Sequence, residues 1–260
     1  MRSCIDLSAD LGEAFGSYVM GDDDALLPLL TSANVACGFH AGDPRVLERT
    51  VRECVGQGVA VGAHPGFPDL VGFGRRPIAM TSDEVAADVL YQLGALEAFA
   101  RRHGTAVQHI TPHGSLGNLS VTDPAYARGV LDAVESFNPS LPVVTQAGVL
   151  ADLARERGIP VAITAMADRV YNTDGSLVSR KLPGAVIHDT DAMVERVLQM
   201  VLERTVTTID GTVIDLDCHT VLIHGDSPEG LQVAQRIRDE LVAHDVELAP
   251  LAVVLEARAG

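Results

Sequence analysis

The feature that most constrains this chain is an alternation. Short apolar runs rich in β-branched residues, each too short for a helix, are separated by longer amphipathic stretches. The runs lie at 5–7, 33–36, 59–62, 107–110, 143–145, 161–164 and 220–223. Strand, loop and helix repeated this way predict a mostly parallel sheet with right-handed crossovers. The helix starts are marked. Asp43-Pro44, Thr122-Asp123-Pro124 and Asp226-Ser227-Pro228 set a capping side chain before a proline, and Thr81-Ser82-Asp83-Glu84 reads as a capping box. Gly58 and Gly104 fall where helices should stop. The one extended irregular stretch, 171–184, reads as a lid or a hairpin. An open doubly wound sheet shares this signature, but the long polar segments after the strands favour a closed α/β barrel. The 260 residues suit one such barrel, and with no Ser/Pro-rich linker a single domain over 1–260 is expected.

The net charge of −16 excludes partners that carry phosphate backbones or anionic lipid, so neither nucleic acid nor membrane is expected. No apolar run reaches the length of a membrane span, and residues 1–4 lead into a strand without a signal-peptide core. Cys4, Cys37, Cys54 and Cys218 form no C-x-x-C pair. Reduced thiols in the cytoplasm are the expectation. A P-loop, a G-x-G-x-x-G turn, a G-x-S-x-G elbow and an H-E-x-x-H helix are all missing from the sequence.

Parallel α/β folds bind ligands at the carboxyl ends of their strands. There the sequence places Asp6, Asp10 and Glu13 after the first run, His40 and Asp43 after the second, and His64 after the third. His113, Asp168-Arg169 and His224-Gly225-Asp226 follow later runs. Histidine suits proton transfer near neutrality and metal ligation, and carboxylates orient water or an imidazole. Any single histidine here is more often structural than functional, and Asp43 and Asp226 read equally well as helix caps. Cys37 reads as a buried thiol more readily than as a nucleophile. Arg75-Arg76 reads as solvated charge or as a carboxylate clamp. Asp10 with His40 or His64 is a candidate ligand set for a divalent metal.

The segments D-L-S-A-D-L-G-E at 6–13, T-S-A-N-V-A-C-G-F-H-A-G-D at 31–43 and V-G-A-H-P-G-F-P-D at 61–69 resemble the LamB/YcsF family. So do G-F-G-R-R at 72–76, P-H-G at 112–114, A-D-R-V-Y at 167–171 and H-G-D at 224–226. The resemblance implies a seven-stranded (βα) barrel of the glycoside hydrolase/deacetylase type. It implies a cytoplasmic ATP-dependent 5-oxoprolinase in which this chain is the A component, with partner subunits B and C, opening the lactam of 5-oxo-L-proline to L-glutamate. ATP would then enter through the partners, in keeping with the missing P-loop. In that scheme Asp10 or His64 is the base, and His40 and His113 stabilise developing charge or protonate nitrogen. Arg169 holds the substrate carboxylate, with Asp6, Glu13, Asp43 and Asn118 completing the substrate contacts. Four positions depart from the family pattern. Ser8 stands for Asn, Thr111 for Lys, Gly117 for Tyr and Thr164 for an acid. Two other readings stay open: a stand-alone metal-dependent hydrolase of the deacetylase sort, and a scaffold that has lost catalysis.

Overall fold

The computed structural model describes residues 3–223 and 228–259. The H-G-D segment at 224–226 and the cap expected at Asp226-Ser227 lie outside the described residues. In chain order, β1 (Cys4–Leu11), α1 (Asp23–Leu26), β2 (Ser32–Ala36), α2 (Pro44–Gln57), β3 (Ala60–His64) and α3 (Ser82–Arg102) come first. Helices α4 (Gly114–Thr122) and α5 (Pro124–Phe137) precede β4 (Val143–Thr145), α6 (Val149–Glu156) and β5 (Val161–Met166). After α7 (Thr190–Leu198) come β6 (Thr205–Thr207), β7 (Val213–Asp215) and β8 (Thr220–Leu222). Helix α8 (Pro228–Ala243), β9 (Glu247–Leu248) and α9 (Leu251–Ala259) end the described chain.

The main sheet runs β3-β2-β1-β8-β5-β4 with every neighbour parallel. Its two edges meet through Ile110, which bridges Ala63 on one side and Val143 on the other. Ala63 N–H donates to the His109 carbonyl at 2.8 Å, and Val144 N–H donates to the Ile110 carbonyl at 2.8 Å. The sheet is therefore a closed α/β barrel whose staves follow one another in chain order. The run expected as a strand at 107–110 is the stave that closes it, yet it pairs only through isolated bridges. Pro112 has no N–H with which to extend the ladder, so regular pairing stops there.

Side-chain alternation separates an apolar outside from a polar lumen. Ile5, Leu7, Ala9 and Leu11 join the main core with Val51 of α2 and Val89 and Leu93 of α3. Asp6, Ser8 and Asp10 take the opposite side of β1. Ser8 Oγ lies 2.9 Å from Thr220 Oγ1, and Thr164 is in register with Thr220. Two of the four departures thus sit together in the lumen as small hydroxyl groups. At Gly117 an added Cβ would lie 2.5 Å from the Pro112 carbonyl oxygen, so the local backbone itself disfavours the expected tyrosine.

The amino end of the barrel is shut. Strand β9 pairs with the start of β1, and Leu251 of α9 packs on Val144 and Ala162 while its N–H reaches Ser32 Oγ. The predicted caps hold the helices. Asp43 accepts from the backbone of Arg45 and Val46, Thr81 and Glu84 form the capping box, and Gly58 ends α2 at φ 72°. The irregular stretch is a hairpin, with antiparallel bridges Arg169 to Val186 and Tyr171 to Leu177. A second hairpin, β6–β7, turns through Asp210-Gly211 and was not expected from the apolar runs.

Candidate active site

Four staves bring their carboxyl ends to one place. Asp10 lies one residue from the end of β1 and Glu13 follows the strand, His40 lies beyond β2, His64 ends β3, and His113 follows the closing stave as the residue before α4. His64 Nε2 is 3.3 Å from Asp10 Oδ2 and 2.9 Å from His113 Nδ1. Glu13 Oε1 lies 3.2 Å from His40 Nε2 and 3.7 Å from His113 Nδ1. The His40 and His113 rings stack in parallel at 3.7 Å between centroids. All three imidazoles are buried.

The far nitrogens of two rings decide where the protons are. His64 Nδ1 lies 2.6 Å from the Thr111 carbonyl, and His113 Nε2 lies 2.9 Å from the Phe73 carbonyl. A carbonyl only accepts, so both of these nitrogens carry hydrogen. If both rings were neutral, two lone pairs would face each other across 2.9 Å. The contact requires a positive centre, either a proton or a metal ion. For the proton the environment chooses His64. Burial pulls its pKa down, but Asp10 and Glu13 outweigh that and the net shift is upward. Burial, then the neighbouring His64, pushes His113 down to about 3, and burial with the same neighbours lowers His40. Burial, reinforced by Asp10, raises Glu13 to about 8.

The donor set also fits a divalent ion. One atom from each of Glu13, His40, His64 and His113 lies within 4.8 Å of the others. The two carbonyls that fix the far nitrogens of His64 and His113 are the kind of partner that orients metal-ligating imidazoles. Nitrogen-rich sites with one carboxylate suit zinc and similar ions. The sequence had placed Asp10 in this ligand set. Geometry adds Glu13 and His113 to His40 and His64, with Asp10 Oδ2 3.3 Å from His64 Nε2.

The loop after β3 walls the cluster. Phe73 has φ 54°, a conformation a bulky residue rarely adopts, and its ring stands edge-on to His40 and His113 at 5.6 and 5.3 Å. Asp69 anchors that loop by accepting from Gly72 N–H and pairing with the Arg76 guanidinium. Arg75 lies over the Phe73 ring at 5.2 Å. The backbone approaches closely as well: a Cβ on Gly66 would lie 2.6 Å from His40 Nδ1, and one on Gly74 2.7 Å from His40 Cβ.

The structure thus brings together Asp10, Glu13, His40, His64 and His113. It does not bring in the other four residues expected to bind substrate. Asp6 lies near the shut end of the barrel, fully buried, accepting from Thr31 Oγ1 at 2.7 Å. Asp43 is a helix cap whose second oxygen accepts from Gly16 N–H. Asn118 is exposed on α4. Arg169 is buried beyond β5, with Nη2 donating to the Val178 carbonyl, and no contact among the described residues joins it to the histidines. Cys37 is buried and donates to the Val35 carbonyl, and burial pushes its thiol up to about 12, too high for a nucleophile. Sequence reasoning passed over Asn34 and His109, which lie in the lumen beneath Asp10, and Phe73. Alternation on β2 from Ser32 could have found Asn34; nothing local marks Phe73.

A closed parallel barrel thus carries a buried histidine–carboxylate centre at the carboxyl ends of its strands, where βα-barrel enzymes bind their ligands. A fold likeness agrees with the architecture: a structure described as T48 deacetylase with substrate superposes with a TM-score of 0.51 at 16% identity, covering 98% of this chain and 92% of that one. The chain belongs to the LamB/YcsF family, whose model matches residues 5–256. The A subunit of a 5-oxoprolinase from Mycobacterium avium (strain 104) is 52% identical over 245 residues, 94% of this chain and 97% of the relative. The crystal structure of a lactam utilization protein from Thermus thermophilus superposes with a TM-score of 0.91 at 43% identity, covering 95% of this chain and 99% of that one. Among the described residues no helix is long and apolar enough to cross a membrane.

Proposed function

We propose that this chain is the lactam-opening subunit of a cytoplasmic ATP-dependent 5-oxoprolinase, working beside subunits B and C to convert 5-oxo-L-proline into L-glutamate. The observation that carries the reading is the Asp10–His64–His113 line, with Asp10 and His64 at 3.3 Å and His64 and His113 at 2.9 Å, in a chain half identical to relatives named for this activity. A five-membered lactam is a stable amide. Phosphoryl activation of its oxygen by the partners would make the ring carbon a better electrophile, so this chain needs no nucleotide loop of its own. Asp10, an acceptor beside the rim, takes a proton from the attacking water. His64, with hydrogen on both nitrogens, stabilises the oxygen on which charge develops. The ring C–N bond then breaks, the nitrogen takes up a proton from the cluster, and hydrolysis of the resulting acyl phosphate releases phosphate and glutamate. In place of the His64 Nε2 proton, a divalent ion held by Glu13, His40, His64 and His113 would supply Lewis-acid polarisation of the same carbonyl.

The facing lone pairs of His64 and His113 favour one second reading, a metal-dependent hydrolase that acts alone. One assay separates the two. Glutamate release from 5-oxoproline is measured for the purified chain with and without ATP and the cognate B and C subunits, and again after chelation. Release only in the complete mixture is expected. ATP-independent hydrolysis by the lone chain that a chelator abolishes would replace this reading with the second.

A further inference from the structure

Beneath the rim lies a buried hydrogen-bond network that ends on Asp10. Asn34, on β2 in register with Asp10, donates from Nδ2 to Asp10 Oδ1 at 3.0 Å. Its Oδ1 accepts from His109 Nε2 and from Thr111 Oγ1, each at 2.9 Å. The Asp10 carboxylate only accepts, and this settles which way the amide points: the reverse orientation would face the amide oxygen against a carboxylate oxygen. His109 must then carry its hydrogen on Nε2, and burial pushes its pKa down to about 4, so it stays neutral near pH 7. Gly62 makes room for this ring: a Cβ there would lie 2.0 Å from His109 Nε2. Asn34, His109 and Thr111 are all buried in the lumen.

We propose that Asn34, held by His109 and Thr111, is the positioning residue that turns the second oxygen of Asp10 toward His64. The carboxylate has one oxygen fixed by an amide N–H, which leaves Oδ2 at 3.3 Å from His64 Nε2 and fixes the plane in which it meets water. Thr111 serves this network through its hydroxyl, so the position where the family pattern has lysine supports the amide here. The proposal rests on Asp10 and His64 being the reactive pair.

The test uses the complete mixture of subunits with ATP. Asn34→Asp, which keeps the shape but faces Asp10 with an acceptor, is expected to lower kcat about 100-fold with KM little changed, the scale of a misplaced catalytic group. His109→Met should fall about 10- to 100-fold, as for loss of an outer-shell partner. His109→Gln, whose amide N–H replaces Nε2–H, should recover most of that loss. Equal losses in the Met and Gln variants, or full activity in His109→Met, would overturn the proposal. A second readout does not depend on the reaction. Imidazole nitrogen resonances should show His109 as the Nε2–H tautomer, and Asn34→Asp should shift the His64 signals while Asp6→Asn leaves them in place. Unmoved His64 signals in Asn34→Asp would also overturn it, whereas a wild-type chain inactive on 5-oxoproline but showing these shifts would fault only the assigned reaction.

Discussion

Two aspartates on one strand show how a barrel divides its labour. Asp6 and Asp10 both face the lumen of β1, four residues or about 13 Å apart along it. Asp6 meets hydroxyl groups, from Ser32, Thr220 and Thr31, behind the plug made by α9. Burial raises its pKa, partly opposed by those hydroxyls. Asp10 meets an amide on one oxygen and the imidazole of His64 on the other. The first carboxylate is enclosed and its neighbours can donate or accept at will. The second faces donors that cannot reverse, at the open end where ligands enter. Residue type and strand face are therefore insufficient to mark a catalytic acid; depth in the barrel and the polarity of the partners decide it.

Three predictions sharpen that comparison. The largest effect belongs to Asp10→Asn, which keeps the size of the side chain but cannot take a proton: turnover in the complete mixture should fall by about 100-fold or more with the fold retained. Next comes the acid response of the lumen. His109 is neutral and buried with a pKa of about 4, below the usual 6.5. The unfolded chain takes up this proton as pH falls through 6.5 and the folded chain does not, so stability present above that pH is lost toward pH 4. The loss approaches about 3 kcal/mol at the lower end. Denaturant unfolding at pH 7.5 and 4.5 should show that dependence in the wild type and less of it in His109→Gln. The smallest effect belongs to Asp6→Asn. Its amide can accept from Thr31 and donate to the reversible hydroxyls, so activity should hold. Because a raised carboxyl pKa costs stability as pH rises from the unfolded value through the folded one, the variant should lose that part of the decline.

Much of the architecture was legible in the sequence because it is written locally. The apolar run of β1, the Thr81 capping box and the proline after Asp43 each act within a few residues, and a parallel α/β sheet follows once seven such runs repeat, with the long polar loops favouring the barrel. The hairpin β6–β7 was missed although Asp210-Gly211 is a turn signal, since its strands are short and lack an apolar run. The rim histidines were legible from their place after strands. Asp6 came in with its segment, D-L-S-A-D-L-G-E, whereas its depth in the barrel is set by β9 and α9 at the far end of the chain. Asp43 and Asn118 were drawn in by neighbouring motif residues, yet one caps α2 and the other faces solvent. The proton on His64 could not be read at all, because it depends on the carbonyls of Thr111 and Phe73, which only the folded backbone brings to the rings.

The most direct measurement runs Asp10→Asn and Asp6→Asn side by side, as folded proteins with subunits B and C and ATP, and follows glutamate release from 5-oxoproline. A nearly silent Asp10 variant beside a fully active Asp6 variant is the predicted result. Comparable turnover in the two, or loss in the Asp6 variant alone, would contradict the assignment of the chemistry to the open end of the barrel.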